Sequence, residues 1–148
     1  MEFYNTDFLK TDEIYLRLIE TTEAVPEKNL VPSYRFEIVR SGDRVKVGRC
    51  DLRVGHNERL YYGGNIGYGV DEVYRGNHYA AKACRLLFRL AAKHGLEYVL
   101  ITCNPGNLPS KRICEFLGGE LLEIAELPPE NDMRVCGETE KCIFRFNL

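Results

Sequence analysis

The segment Ile66 to Gly95 restricts the possible folds more than any other stretch of the chain. It begins apolar with Ile66, Tyr68 and Val70, crosses the polar turn Asp71 to Asn77, and takes up helical spacing from about His78. Ala80, Ala83, Cys84, Leu87, Leu90 and Ala91 recur every three or four residues, with Lys82, Arg85, Arg89 and Lys93 on the opposite side, which predicts an amphipathic helix with one buried face. Basic residues gather toward its carboxyl end, where they complement the dipole, and Gly95 is suited to the left-handed conformation that stops a helix. The amino end therefore points back toward Arg75 and Gly76. Its first amides have no helical acceptors, and a strand, turn and helix joined in this way can hold phosphate.

A chain of 148 residues buries one sizeable core and is short for two, so a single domain over 1–148 is expected. Charged residues make up 28% and the formal net charge is -2, a balance that argues against a general nucleic-acid or membrane-surface binder. No apolar run is long enough to span a bilayer, and the charged opening Met1 to Glu20 lacks the apolar core of a secretion signal. The expectation is a cytoplasmic protein with no nucleic-acid and no membrane partner. Cys50, Cys84, Cys103, Cys114, Cys136 and Cys142 show no metal-type spacing, so no metal is expected and the thiols are read as reduced, with Cys84 and Cys142 as small core residues.

Glu13 to Thr21 alternates as a first strand, and Thr22 to Ser33, with Pro26 and Pro32, is irregular or holds a short helical turn. Tyr34 to Arg40 and Val45 to Val54 form a hairpin around Ser41-Gly42-Asp43. His56-Asn57-Glu58 reads as a turn and Leu60 to Val70 as one long strand. The glycines inside that strand (Gly63, Gly64, Gly67 and Gly69) mark a bulge or a close backbone approach. Glu97 to Cys103 is a nearly continuous apolar run, a strand covered on both faces. Strand, helix and strand in this order predict a parallel pair with a right-handed crossover. Asn107 caps a second helix that runs through Phe116 to Gly118-Gly119, and Glu120 to Glu126 and Glu140 to Phe146 are the last strands, joined by the polar loop Pro128 to Glu138. The fold class is α/β (α+β), a mixed sheet with helices on both faces.

Arg75-Gly76-Asn77-His78-Tyr79-Ala80 resembles the Arg/Gln-x-x-Gly-x-Gly/Ala signature of the GNAT superfamily of acyl-CoA N-acyltransferases, with His78 where glycine is usual. Asn107-x-x-Ser110 followed by Phe116-Leu117-Gly118-Gly119 is similar to that superfamily's Asn-x-x-Ser segment after the fifth strand. Two separate motifs at the right topological interval strengthen a signature that is weak alone. Within the superfamily the chain looks most like the branch of ribosomal-protein N-terminal and small-molecule acetyltransferases. The resemblance implies a six- to seven-stranded, mostly antiparallel sheet with a splayed central parallel pair. It also implies acetyl-CoA as co-substrate and a primary amine, on a small molecule or a protein terminus, as acceptor. The region that shapes the acceptor site in such proteins is short here, so that side is either open or completed in a homodimer.

On this resemblance the pantetheine arm pairs with the backbone at Tyr68, Gly69 and Val70, and the amides of Arg75, Gly76, Asn77, His78, Tyr79 and Ala80 hold the pyrophosphate. Asn107 matches the asparagine that approaches the pantetheine or thioester region, and Ser110 the residue one turn on. Attack by an alkyl amine, mostly protonated at neutral pH, needs a proton acceptor. Glu58, Asp71 and Glu72 are the candidates, although an exposed acid in a turn is the ordinary reading of Glu58, and an acid before a helix simply favours its dipole. An amide such as that of Val70 is a candidate for the oxyanion. The position of the tyrosine that often protonates the leaving thiolate falls on Cys114, a candidate acid or a packing residue, with Tyr68, Tyr61 and Tyr62 as substitutes. The alternative to an enzyme is a non-catalytic acyl-CoA-binding or regulatory module of the same fold.

Overall fold

The computed structural model describes residues 1–148. In chain order the elements are β1 (Ile14–Thr22), β2 (Ser33–Arg40), β3 (Lys46–Arg53), α1 (Glu58–Gly63), β4 (Ile66–Val70), α2 (Tyr79–Lys93), β5 (Tyr98–Cys103), α3 (Leu108–Phe116), β6 (Glu120–Glu126), α4 (Asp132–Val135) and β7 (Glu140–Asn147). The strands form two sheets, β1-β2-β3-β4 and β5-β7-β6, and every ladder is antiparallel. This is an α+β fold.

The predicted long strand Leu60 to Val70 is corrected. Its first part is the helix α1, because Asn57 Oδ1 accepts from Leu60 N at 2.9 Å and supplies a true N-cap. Gly64, at φ 79, then ends the helix. A Cβ there would lie 3.1 Å from Leu100 O and 3.2 Å from Thr102 N, so this glycine marks the close backbone approach that the sequence pattern signalled. The polar loop Pro128 to Glu138 also differs from expectation, since it contains α4, capped by Asn131 Oδ1 on Met133 N.

Alternation decides which face each strand buries. Val99, Ile101 and Cys103 of β5 and Cys142, Phe144 and Phe146 of β7 join the main core. Leu100, Ala125 and Ile143 face the other way and pack with Tyr61 and Tyr62 of α1. Helices α2 and α1 therefore cover opposite faces of β5. Helix α2 buries the predicted stripe and adds Leu86 to it; burying Leu86, Leu87 and Leu90 contributes roughly 2 kcal/mol each. Five of the six free cysteines are buried and Cys136 is exposed.

Strands β4 and β5 belong to different sheets and share no ladder. They are joined at one end by Asn65, which is fully buried. Its amide donates to Leu100 O at 2.7 Å, its Oδ1 accepts from Leu100 N at 2.9 Å, and its Nδ2 donates to Arg53 O and Gly55 O at 3.0 and 2.7 Å. Beyond this stitch the two strands go to separate partners.

Candidate active site

The separation of β4 from β5 leaves β4 as a sheet edge with unsatisfied backbone groups. Asp71 N donates to Val47 O and Arg53 N to Asn65 O, and the register pairs Gly69 with Arg49 and Gly67 with Asp51. Antiparallel alternation then turns the amides and carbonyls of Ile66, Tyr68 and Val70 away from β3, toward the opening. Opposite that edge lie Thr102 and Cys103 of β5 with Asn104, Asn107 and Ser110, and together they bound a groove of about 290 Å³.

The turn after β4 leads into α2. Gly76 has φ 93 and His78 has φ 60, and the amides of Gly76, Asn77, His78, Tyr79 and Ala80 donate to no backbone group. Their clustering at the amino end of a fifteen-residue helix forms a concavity suited to a phosphate. Arg75 Nε donates to Val70 O at 3.0 Å, and Asn77 Nδ2 to Tyr74 O at 3.0 Å, so these two side chains shape the turn. The His78 ring stacks on Phe116 with centroids 5.2 Å apart, and the Arg85 guanidinium lies 5.2 Å from the same ring centroid.

At the other end the groove runs into a larger cleft of about 660 Å³, bounded by the Asn29 to Ser33 segment, α1 and the loop before α4. Arg53, Gly63 and Met133 border both spaces. Arg53 holds this junction. Its Nη1 donates to Gly63 O and Gly64 O at 3.2 and 2.8 Å, and its Nη2 meets Asp51 Oδ2 at 2.9 Å. Burial pushes the Asp51 carboxyl up, and the arginines around it oppose that shift.

The sequence model of the acetyltransferase (GNAT) domain matches residues 1–120. The chain belongs to the GNAT acetyltransferase family. Among curated proteins none matches it, whereas solved structures share its fold at low identity. A Vibrio cholerae protein assigned as a ribosomal-protein-serine acetyltransferase is 16% identical with a TM-score of 0.68, over 98% of this chain and 100% of that one. A GNAT-family acetyltransferase from Bacillus anthracis is 19% identical with a TM-score of 0.61, over 76% of this chain. The microcin self-immunity acetyltransferase MccE, solved with acetyl-CoA and AMP, is 15% identical with a TM-score of 0.62, over 78% of this chain. The chain spans 65% of the Bacillus anthracis protein and 61% of MccE.

The residues singled out from the GNAT resemblance fall into three groups. Tyr68, Gly69 and Val70 lie on the open edge, Arg75 to Ala80 form the turn at the start of α2, and Asn107 and Ser110 open α3, where Asn107 Oδ1 caps Ser110 N at 3.3 Å. Tyr68 Oη donates to Ser110 Oγ at 3.0 Å across the groove, and burial holds the phenol well above its ordinary value. It therefore stays protonated at neutral pH and keeps its proton directed at Ser110 Oγ, which leaves the Ser110 hydroxyl hydrogen to be donated. Cys114 is fully buried, and burial, with Cys103 and Cys142 nearby, pushes its thiol up to about 12. Glu58 is exposed on the wall of the larger cleft. Asp71 and Glu72 are exposed and border neither space. Tyr61 donates to Glu123, and Tyr62 O accepts from Thr102 Oγ1 at 2.8 Å.

Arg53, Asn104, Glu138 and Lys141 line the groove and Asn65 lies beside it, all outside the sequence candidates. Asn65 carried a faint signal as a polar residue leading into an apolar strand. Arg53 and Glu138 had none, because their neighbours come from distant parts of the chain.

Proposed function

We propose that this GNAT protein transfers the acetyl group of acetyl-CoA to a primary amine by direct attack within a ternary complex, as a single cytoplasmic domain. One observation carries the reading. Free amides stand at the start of α2, in the turn that follows the unpaired edge of β4, and the groove beside that edge meets a larger cleft at Arg53, Gly63 and Met133. A diphosphate fits the first feature, an extended amide-bearing arm the second, and an acceptor the third. The fold is shared with an acetyltransferase solved with acetyl-CoA and AMP, which supports acetyl-CoA as the ligand.

In this reading Gly76 to Ala80 bind the pyrophosphate through main-chain amides, while Arg75 acts through Val70 O. Tyr68 and Val70 align the pantetheine arm, whereas Gly69, expected to share this role, turns its main-chain groups to Arg49 of β3; the Val70 amide stabilises the oxyanion, a contact worth about 3 kcal/mol in enzymes where one was removed. Holding amine and thioester at near-attack distance supplies much of the remaining acceleration. The leaving thiolate takes its proton from the Tyr68 and Ser110 hydroxyls, which line the groove, rather than from Cys114, which is sealed.

Thermal melting with acetyl-CoA, free CoA and ATP tests binding. At a hundred times Kd, stabilisation of about 2.7 kcal/mol is expected for the two CoA ligands, and none for either ends the proposal. Release of free CoA across a panel of amines tests turnover, with Tyr68→Phe expected to lower kcat. Binding with no turnover on any amine supports the non-catalytic module, whose motivating features are the sealed Cys114 and a histidine at the left-handed turn position.

A further inference from the structure

Asn104, Glu138 and Lys141 come together on the wall of the groove. The register pairs Cys103 with Cys142, so Asn104, one residue past β5, comes beside Lys141 of β7. The Lys141 side chain is only 9% exposed, and its ammonium meets Glu138 Oε1 at 3.3 Å. An ammonium this buried needs a carboxylate partner. Asn104 Nδ2 donates to the same Oε1 at 3.0 Å.

Two donors on one oxygen fix the carboxylate and leave Oε2 without a protein partner. No partnerless side-chain oxygen is sealed in the interior, so Oε2 is accessible, on a residue that lines the groove. The Asn104 hydrogen bond, and then Lys141, hold the carboxyl below the usual range; it is ionised at neutral pH and acceptor-only. Glu138 is the one carboxylate on the groove wall.

We propose that Glu138 is the catalytic residue that takes the proton from the acceptor nitrogen, with Asn104 and Lys141 as positioning residues. The assignment rests on the transferase reading. The neutral amine attacks the thioester carbon, a C–N bond forms, and the carbonyl π pair moves to oxygen. The nitrogen of this adduct is cationic and far more acidic than a free alkylammonium, so an ionised carboxylate accepts its proton on Oε2. When the oxygen pair returns, the C–S bond breaks, the thiolate leaves with a proton from the Tyr68 and Ser110 hydroxyls or from water, and Glu138 gives its proton to solvent.

The test uses the full chain, an amine that the parent acetylates, and acetyl-CoA. E138Q is expected to lose about a hundredfold in kcat, the lower range for general-base removal, with the melting shift produced by acetyl-CoA unchanged. E138D recovers part of the rate. Asn104→Ala lowers kcat by a smaller factor and leaves KM for acetyl-CoA unchanged. If the lone Lys141 ammonium destabilises E138Q, the double variant E138Q/K141M removes both charges and is expected to show the same kcat loss. Retention of kcat within twofold by a folded E138Q overturns the assignment alone, as does loss of the acetyl-CoA shift. A parent that binds acetyl-CoA but acetylates no amine removes the transferase reading and this assignment with it.

Discussion

The two ends of the groove are built by different means. At the α2 end the proposed binding groups are main-chain amides of consecutive residues, Gly76 to Ala80, and the side chains there mostly shape the turn. Elsewhere the groups are side chains brought from separate segments: Arg53 of β3 borders both spaces, Glu58 of α1 the cleft, and Asn104 and Glu138 the groove. A site made of backbone tolerates changes of side chain as long as the dihedral angles survive. A site made of converging side chains depends on the packing that brings distant segments together.

Asn65 stitches β4 to Leu100 of β5 beside Arg53, and its loss should loosen the spacing of the two strands. Asn65→Ala removes three side-chain hydrogen bonds in a fully buried setting. At about 1 kcal/mol each this comes to roughly 3 kcal/mol, or a fall in melting temperature of about 10 °C for a chain of this size. Thermal unfolding monitored by circular dichroism measures the fall, and acetyl-CoA binding is expected to weaken with it. A change of less than about 0.5 kcal/mol, the range of ordinary surface substitutions, would mean that the sheets are held together elsewhere.

The backbone character of the α2 end is sharpened by His78. Its φ of 60 is a conformation that costs a residue with a Cβ roughly 1–2 kcal/mol and glycine little. Histidine is among the residues that adopt it more often than most, and stacking on Phe116 helps to hold it there. His78→Gly and His78→Ala both remove the ring, so the difference between them isolates the dihedral. The glycine variant is expected to be more stable by about 1 kcal/mol and to bind CoA at least as tightly; equal melting temperatures would show that the turn relaxes when the ring is lost.

The same contrast explains what could be read before folding. The turn, helix α2 and the Asn107 to Gly119 block lie within short windows of chain, so periodicity and turn chemistry exposed them. The strand and hairpin pattern of β1 to β3 was legible for the same reason. Residues 60 to 70 misled because Leu60, Tyr61 and Tyr62 carry strand-like side chains, while the decisive signal was the cap at Asn57, whose hydrogen bond to Leu60 N outweighs a weak local propensity. Glu138 was hidden because its meaning depends on Asn104 and Lys141, and a carboxylate in a polar loop reads as solvated until the fold supplies those partners.

Arg75 gives the smallest and most discriminating effect. Its Nε is committed to Val70 O and the side chain is exposed, so in water its attraction for a phosphate is screened to about 1 kcal/mol at contact distance. Arg75→Ala is therefore expected to weaken CoA binding about threefold to fivefold by titration calorimetry, less than 1 kcal/mol, and to leave a binding reaction with a similar enthalpy. A loss of a hundredfold or more would assign the phosphate to the guanidinium and remove the contrast between a main-chain end and a side-chain end. No loss at all would leave the amides of Gly76 to Ala80 carrying that contact alone, with Arg75 serving only to tether the turn to the last carbonyl of β4.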